Sequence, residues 1–314
     1  MLKKILFGIT LKQEYICVEE EKLSHQSRFF LVDDESFLDL TDSHLFIGYC
    51  PLIIAINCET ISSLKNLLQS KNIIETVFGE SKDKIIAQLL LKKIATREFD
   101  EMNLFLFEGV KGSHRFLAKF HILTNILKYK FTGKKKINIY LKGNLYEQVK
   151  IAYSIPRKIS LVTLGRNKIF NVFPTDINGR IGKQNFVISL RKDGKANEQV
   201  KHLKKIVLSE MPVDAYKEVY SLGVNHTKDL REKNKFNLSE KLSQKFSIPL
   251  PKNVLRYFEL EFLYDMQTGL HNLCIFKIVN SVNFDNSNST LAHIHRDYAE
   301  WRINNDIISE YFLR

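Results

Sequence analysis

The sequence predicts an α+β protein in two parts: a separate N-terminal α+β domain over residues 1–142 and a mostly antiparallel β-barrel over residues 143–314. Three observations predict it. At 314 residues the chain is longer than one typical domain and long enough to bury a sizeable core. Near its end, "YFELEFLYD" and "HNLCIFKIVNSVNF" alternate apolar with polar residues and are rich in aromatic and β-branched side chains, as half-buried strands are. Helical spacing concentrates in the first half, where "SSLKNLLQSKN" sets Leu64, Leu67 and Leu68 on one face.

In chain order, "MLKKILFGITLKQEY" reads as a first strand. Its apolar patch is brief, lacks a small-residue cleavage site and meets charge at once, unlike a signal peptide. Up to about Phe46 the pattern stays short and strand-like, with acidic clusters at Glu19–Glu21 and Asp33–Glu35 marking turns. "LFIGYCPLIIAINC" is broken by Gly48 and Pro51 into two segments, the second a buried strand. A helix with Ser62 or Ser63 as N-cap follows. "SKDKIIAQLLLKKIA" predicts a second helix through Ile85, Ile86, Leu89 and Leu90, "MNLFLFEG" a strand, and "SHRFLAKFHILTNILKYK" a third helix capped by Ser113.

In the second half, Gly143 and Pro156 bracket a short amphipathic segment. Strands at 159–164 and 169–173 flank a turn at 165–168, "PTDINGRIGKQ" reads as a loop, "NFVISL" as a strand, and a helix runs from about Ala196 to Leu208. Thr268 and Gly269 join the last two long strands.

No run approaches the roughly 18 apolar residues of a membrane span. Cys17, Cys50, Cys58 and Cys274 are dispersed among apolar neighbours without a C-x-x-C pair, which fits core residues in a reducing cytoplasm. Net charge is +12: 21 Lys and Arg minus 17 Asp and Glu give +4 before residue 145, and 26 minus 18 give +8 after it, so the second half is the more basic. The tightest basic run, "KYKFTGKKKINIY", reads as a solvated hairpin tip around Thr132 and Gly133.

The motifs of Rossmann, P-loop, zincin and α/β-hydrolase sites are all missing. His293 and His295 share one face of a strand in "LAHIHRDY", but nothing nearby completes a metal shell, so a structural or substrate-facing role is favoured and no metal is expected. "SLRKDGKANEQVKHL" is more informative. A helix starting near Lys195 leaves its first N–H groups without partners and adds about half a positive charge there. Gly194 permits close backbone approach, Arg191, Lys192 and Lys195 supply charge, and Asn197 can bond into the loop, which together suit an anion.

From "YSIPRKISLVTLG" through "FNVFPTDI", "NFVISLRKDGKANEQV" and "NKFNLS" to "GLHNLCIFKIVN" and "LAHIHRDYAEW", the second half resembles the flavin reductase-like family of FMN-binding split barrels, with its elements in family order. The resemblance implies an antiparallel split β-barrel that holds FMN noncovalently at a homodimer interface. The implied activity is that of an NAD(P)H-dependent flavin reductase or a flavoredoxin-like electron carrier, with free flavin or a protein as acceptor and neither membrane nor nucleic acid as partner.

Residue by residue, the resemblance assigns Asn171, Pro174 and Thr175 to the Asn-x-x-Pro-Ser loop that approaches the flavin. Arg191 and Lys192 fall at the basic strand end, and Ala196 and Asn197 at the phosphate-binding helix start. His271 matches the histidine beside the flavin and nicotinamide pocket, the one catalytic candidate, and Tyr298 the aromatic near its mouth. Gly194 stands where the family carries a phosphate-binding Thr, with Lys195 beside it to substitute charge for the hydroxyl. The rival reading is a non-enzymatic barrel with a degenerate flavin site that contacts RNA or a protein partner.

The family does not account for the first half. There, "PLIIAINCETISSLKNLLQSKN" passes from strand through a polar link to a helix much as "NFVISLRKDGKANEQVKHLKK" does, so a degenerate tandem stands beside the favoured separate domain.

Overall fold

The structure, a computed structural model, describes residues 13–20, 23, 26–99, 101–117, 143–285, 290–307 and 312–313. The expected first strand before residue 13, most of the third helix and the basic hairpin tip lie outside the described residues.

After β1 (Tyr15–Glu19), the first half consists of β2 (Arg28–Asp33), β3 (Ser36–Asp39), β4 (His44–Tyr49), β5 (Leu52–Glu59), α1 (Ser63–Ser70), β6 (Ile73–Gly79), β7 (Ile85–Phe99) and β8 (Met102–His114). The second half opens with α2 (Leu145–Ala152), β9 (Arg157–Lys158), β10 (Ser160–Arg166), β11 (Ile169–Thr175), β12 (Asn178–Ile181), β13 (Asn185–Arg191), α3 (Lys195–Leu203) and β14 (Lys205–Glu210). It continues through α4 (Tyr216–Ser221), β15 (Arg231–Glu232), β16 (Leu238–Leu242), β17 (Pro249–Pro251), β18 (Arg256–Thr268), β19 (His271–Asn283), β20 (Leu291–His295), α5 (Arg296–Asn304) and β21 (Phe312–Leu313). The strand pairings described are antiparallel throughout.

Three expectations change. Residues 85–99 form strand β7, not a helix: the run Leu89–Leu91 suits either period, and pairing to β6 on one side and β8 on the other decides for the sheet. The helix at 195 ends at Leu203 because Lys204 turns left-handed (φ 61°) and the β-branched Ile206 and Val207 enter β14. The loop after Thr175 contains β12. Ser62 does cap α1, its Oγ accepting from Lys65 N at 3.2 Å.

The separate α+β domain expected for the first half is instead a sheet that repeats the second. Its order is β3-β2-β6-β7-β8-β5-β4, and the second half reads β11-β10-β14-β18-β19-β13-β12, strand for strand the same, with β15 added at one edge. A helix joins β5 to β6 and another joins β13 to β14. Both long hairpins pair out to their tips, Phe99↔Met102 and Thr268↔His271. Counted from those tips, their bulges coincide: Leu90/Leu91 and Lys93/Ala95 in one, Glu259/Leu260 and Phe262/Tyr264 in the other. Backbone bonds recur as well, Lys93 N to Asn72 O and Phe262 N to Lys204 O both at 2.7 Å.

The two sheets share a core. Ile53, Ala55, Leu104 and Leu106 pack against Val187, Leu273 and Ile275, contributed by corresponding strands. Helices α2 and α5 place Val149, Ile151, Tyr298 and Ala299 in the core of the first sheet, and β1 pairs with β20, so the two halves interlock. At the seam Gly269 holds φ at +61° while a Cβ there would collide with the carbonyl oxygen of Cys50. Gly269→Ala is therefore expected to cost about 1–3 kcal/mol, read as a lowered denaturation midpoint; an unchanged midpoint would show the seam to be slack.

Candidate functional site

β13 ends at Arg191, and Gly194 N-caps α3 with no side chain to offer. The first intrahelical acceptor, Gly194 O, serves Asn197 N (3.0 Å) and Glu198 N (3.3 Å), which leaves the Lys195 and Ala196 N–H groups ahead of it. The loop is fixed from below. Asn197 Nδ2 donates to Lys192 O (2.9 Å), Asn197 Oδ1 accepts from Asn272 Nδ2 (3.1 Å), and Lys192 N donates to Leu270 O (3.1 Å). Ala196 and Asn197 are buried, whereas Arg191 and Lys195 are exposed. Lys195 Nζ lies 3.5 Å from Glu198 and 3.6 Å from Asp229, and these carboxylates raise its pKa while offsetting its charge.

His271 stands opposite Arg191 in the β13–β19 ladder and is 2% exposed. Its Nδ1 is 3.1 Å from Ser189 Oγ, and that hydroxyl donates to Ile47 O at 2.6 Å. Nδ1 therefore carries the proton, and Nε2 is left a buried acceptor without a protein partner. Burial pushes this imidazole down to about 4, so it is neutral at pH 7. Tyr49 of the first half meets its ring edge-on at 4.6 Å.

Pro174 and Thr175, at the end of β11, line an apolar cavity of about 230 Å³ together with Tyr220, His226 and His293. Asn171 does not reach it: its Nδ2 donates to Gln199 Oε1 (2.8 Å) and Asn225 O (3.0 Å), tying β11 to α3 and to the segment after α4. Tyr298 lies elsewhere too. It is fully buried in the first sheet's core, its hydroxyl bonded to Ser27 Oγ (3.0 Å) and Arg302 Nη1 (3.1 Å), because α5 turns back onto that sheet.

Sequence reasoning missed Asp176, one residue past the recognised Pro-Thr pair. Its Oδ2 sits 2.8 Å from Arg157 Nη2 and 2.7 Å from His293 Nε2. Burial opposes its ionisation, but Arg157 and His293 outweigh burial and hold the carboxyl well below its ordinary range. Burial lowers the pKa of His293, whose Nε2 lies 2.7 Å from both Asp176 Oδ2 and Arg157 Nη2 and whose Nδ1 faces the Tyr220 hydroxyl at 3.3 Å. Among the described residues no cluster of His, Cys, Asp and Glu could hold a metal, and His295 turns to Asp297 instead, its Nδ1 accepting from that residue's N–H at 3.0 Å.

A second cavity of about 290 Å³ lies between the halves beyond Arg157. Arg157, Lys158, Arg180 and Arg256 line it, but so do Glu20, Asp42, Asp176 and Glu210, so it favours neither sign of charge. No described helix is long and apolar enough to cross a membrane.

No family model matches the chain, and no curated protein matches it. Solved structures similar to part of it include an FMN-binding protein from Thermus thermophilus with bound p-hydroxybenzaldehyde (17% identity, 41% of this chain and 73% of that one, TM-score 0.36). The NADH:FAD oxidoreductase of Streptomyces globisporus is similar at 11% identity over 48% of this chain and 89% of that one, TM-score 0.41. The flavin reductase component of a bacterial two-component tryptophan halogenase is similar at 11% identity over 48% and 98%, TM-score 0.39. Solved structures similar to roughly half of this chain thus include flavin reductases and FMN-binding proteins.

Proposed function

We propose that the second half binds FMN noncovalently and serves as an NAD(P)H-dependent flavin oxidoreductase or electron carrier, with a free flavin or a protein as acceptor. The observation that carries this is His271: a buried, neutral imidazole whose Nε2 has no protein partner, on the same ladder rung as the basic strand end at Arg191. An orphaned buried acceptor costs about 1–3 kcal/mol, so it calls for a donor from outside the protein. The Lys195 and Ala196 N–H groups with Arg191 and Lys192 fit the terminal phosphate, the interaction that a helix start and cationic side chains favour.

A bound flavin would supply the hydride- and electron-accepting chemistry. The chain's own residues need only hold and orient it. Asn197 and Asn272 fix the phosphate loop, and Ser189 fixes the His271 tautomer. Pro174 and Thr175 shape the neighbouring apolar cavity. One observation favours the rival, non-enzymatic reading: Gly194 offers no hydroxyl, and Lys195 is already offset by two carboxylates.

Titration of the purified protein with FMN separates the two. Uptake with the visible absorbance of bound oxidised flavin is expected, weakened about tenfold or more by Arg191→Glu with Lys192→Glu. A folded protein that takes up no FMN contradicts the proposal.

A further inference from the structure

We infer that this chain is its own dimer and holds one ligand site, not two: the Arg191–Lys195 loop and His271 of the second half form the site, and Tyr49 of the first half is a positioning residue for it. The identity of the ligand rests on the flavin reading above; the internal symmetry does not.

Two-fold related partners meet through the same patch on both sides, and residues on the axis meet their own counterparts. Both signs are present within this one chain. Arg97 and Met266, equivalent by their places in the two hairpins, touch at 3.0 Å between Nε and Sδ. Leu45 and Gly179, equivalent in β4 and β12, are so close that a Cβ on Gly179 would collide with Leu45. Off the axis the contacts are exchanged. Asn57 donates to Arg180 O in β12 at 3.4 Å, while Ser189, its counterpart, donates to Ile47 O in β4 at 2.6 Å. In place of the homodimer that the family resemblance implies, the second copy is already covalently attached.

Symmetry would give two sites, and the sequence has dismantled one. Glu59 and Thr60 stand where Arg191 and Lys192 stand, so an anion would meet a carboxylate. Ser62 stands at Gly194 and caps its own helix, accepting from Lys65 N at 3.2 Å, whereas Gly194 leaves its helix start open. Met102 replaces His271 in the equivalent rung, Glu59↔Met102 against Arg191↔His271. It fills the space over Gly182, its Cγ 2.7 Å from where a Cβ would be. In the second half the cation pair, the open helix start and the imidazole all remain. There the β4–β5 turn is fastened to the opposite hairpin tip by Leu270 N to Cys50 O at 3.1 Å, which sets the Tyr49 ring edge-on to His271 at 4.6 Å.

The experiment is FMN titration by flavin fluorescence on the full chain, with its mass in solution followed by light scattering. One FMN per monomeric chain is expected, with Tyr49→Ala weakening binding about tenfold or more, and Tyr49→Phe, which keeps the ring, restoring wild-type affinity. Two FMN per chain, binding that requires two chains, or a folded Tyr49→Ala protein that binds as tightly as wild type overturns this inference alone. No FMN uptake by the wild type overturns the flavin reading and takes this site with it.

Discussion

At pH 5 the protein is expected to be about 4 kcal/mol less stable than at pH 7, from His271 and His295 alone. Burial lowers the pKa of both, to about 4 and about 3. In the unfolded chain each takes up a proton near its ordinary value of about 6.5, while the folded state refuses it until well below that. Between those values the unfolded state binds more protons, so stability is fully present above about pH 6.5 and falls by about 1.4 kcal/mol per pH unit per histidine as pH drops. His44, His226 and His293 are shifted the same way, with burial the leading cause, and add to the slope. The depressed carboxyls, Asp39, Glu147, Asp176, Asp265 and Asp297, act only below their ordinary range near 4. The window from pH 6.5 to 5 therefore belongs to the histidines. Urea midpoints measured across it read the slope directly, and a flat profile would show that these rings are hydrated.

Lys150→Met is expected to cost about 3–5 kcal/mol, the loss typical of breaking a buried ion pair by removing one partner. The Lys150 ammonium is completely buried, 3.2 Å from Glu147 Oε1 and 3.0 Å from Asp297 Oδ2, and lies over the Tyr146 ring. Without it two carboxylates remain in the interior, Glu147 facing only His114 among the described residues and Asp297 facing the half-buried Arg296 Nε at 3.6 Å. Adding Glu147→Gln and Asp297→Asn removes the stranded charge and is expected to recover much of the loss. Thermal melts of the single and triple variants check this. A single variant within about 1 kcal/mol of wild type would mean that the cluster contributes no more than an exposed ion pair does.

The second half was the more legible in sequence, for physical reasons. Its last two long strands alternate in sequence, its turns carry Gly182 and Gly269 at positive φ, and the β13–α3 junction announces itself through glycine and charge. In the first half, residues 85–99 misled because Leu89–Leu91 form a contiguous apolar run that reads as helix or strand alike until both neighbours are known. With that strand misassigned, the repeat could be heard only in the β5–α1 stretch. One further local signal was available: "MNLFLF" and "HNLCIF" share Asn-Leu-x-x-Phe, and Asn103 and Asn272 occupy equivalent rungs of the two sheets. The Arg157–Asp176–His293 cluster was not readable, because its members come from β9, the turn before β12, and β20, and only the folded chain brings them together. Tyr298 was misplaced for a related reason: α5 follows β20 in sequence but packs on the first half.

Native mass spectrometry of the full-length protein mixed with excess FMN tests most directly whether two fused halves keep a single flavin site. One polypeptide carrying one FMN is the expected ion. A species of two polypeptides, a polypeptide carrying two flavins, or an intact polypeptide that carries none would contradict it.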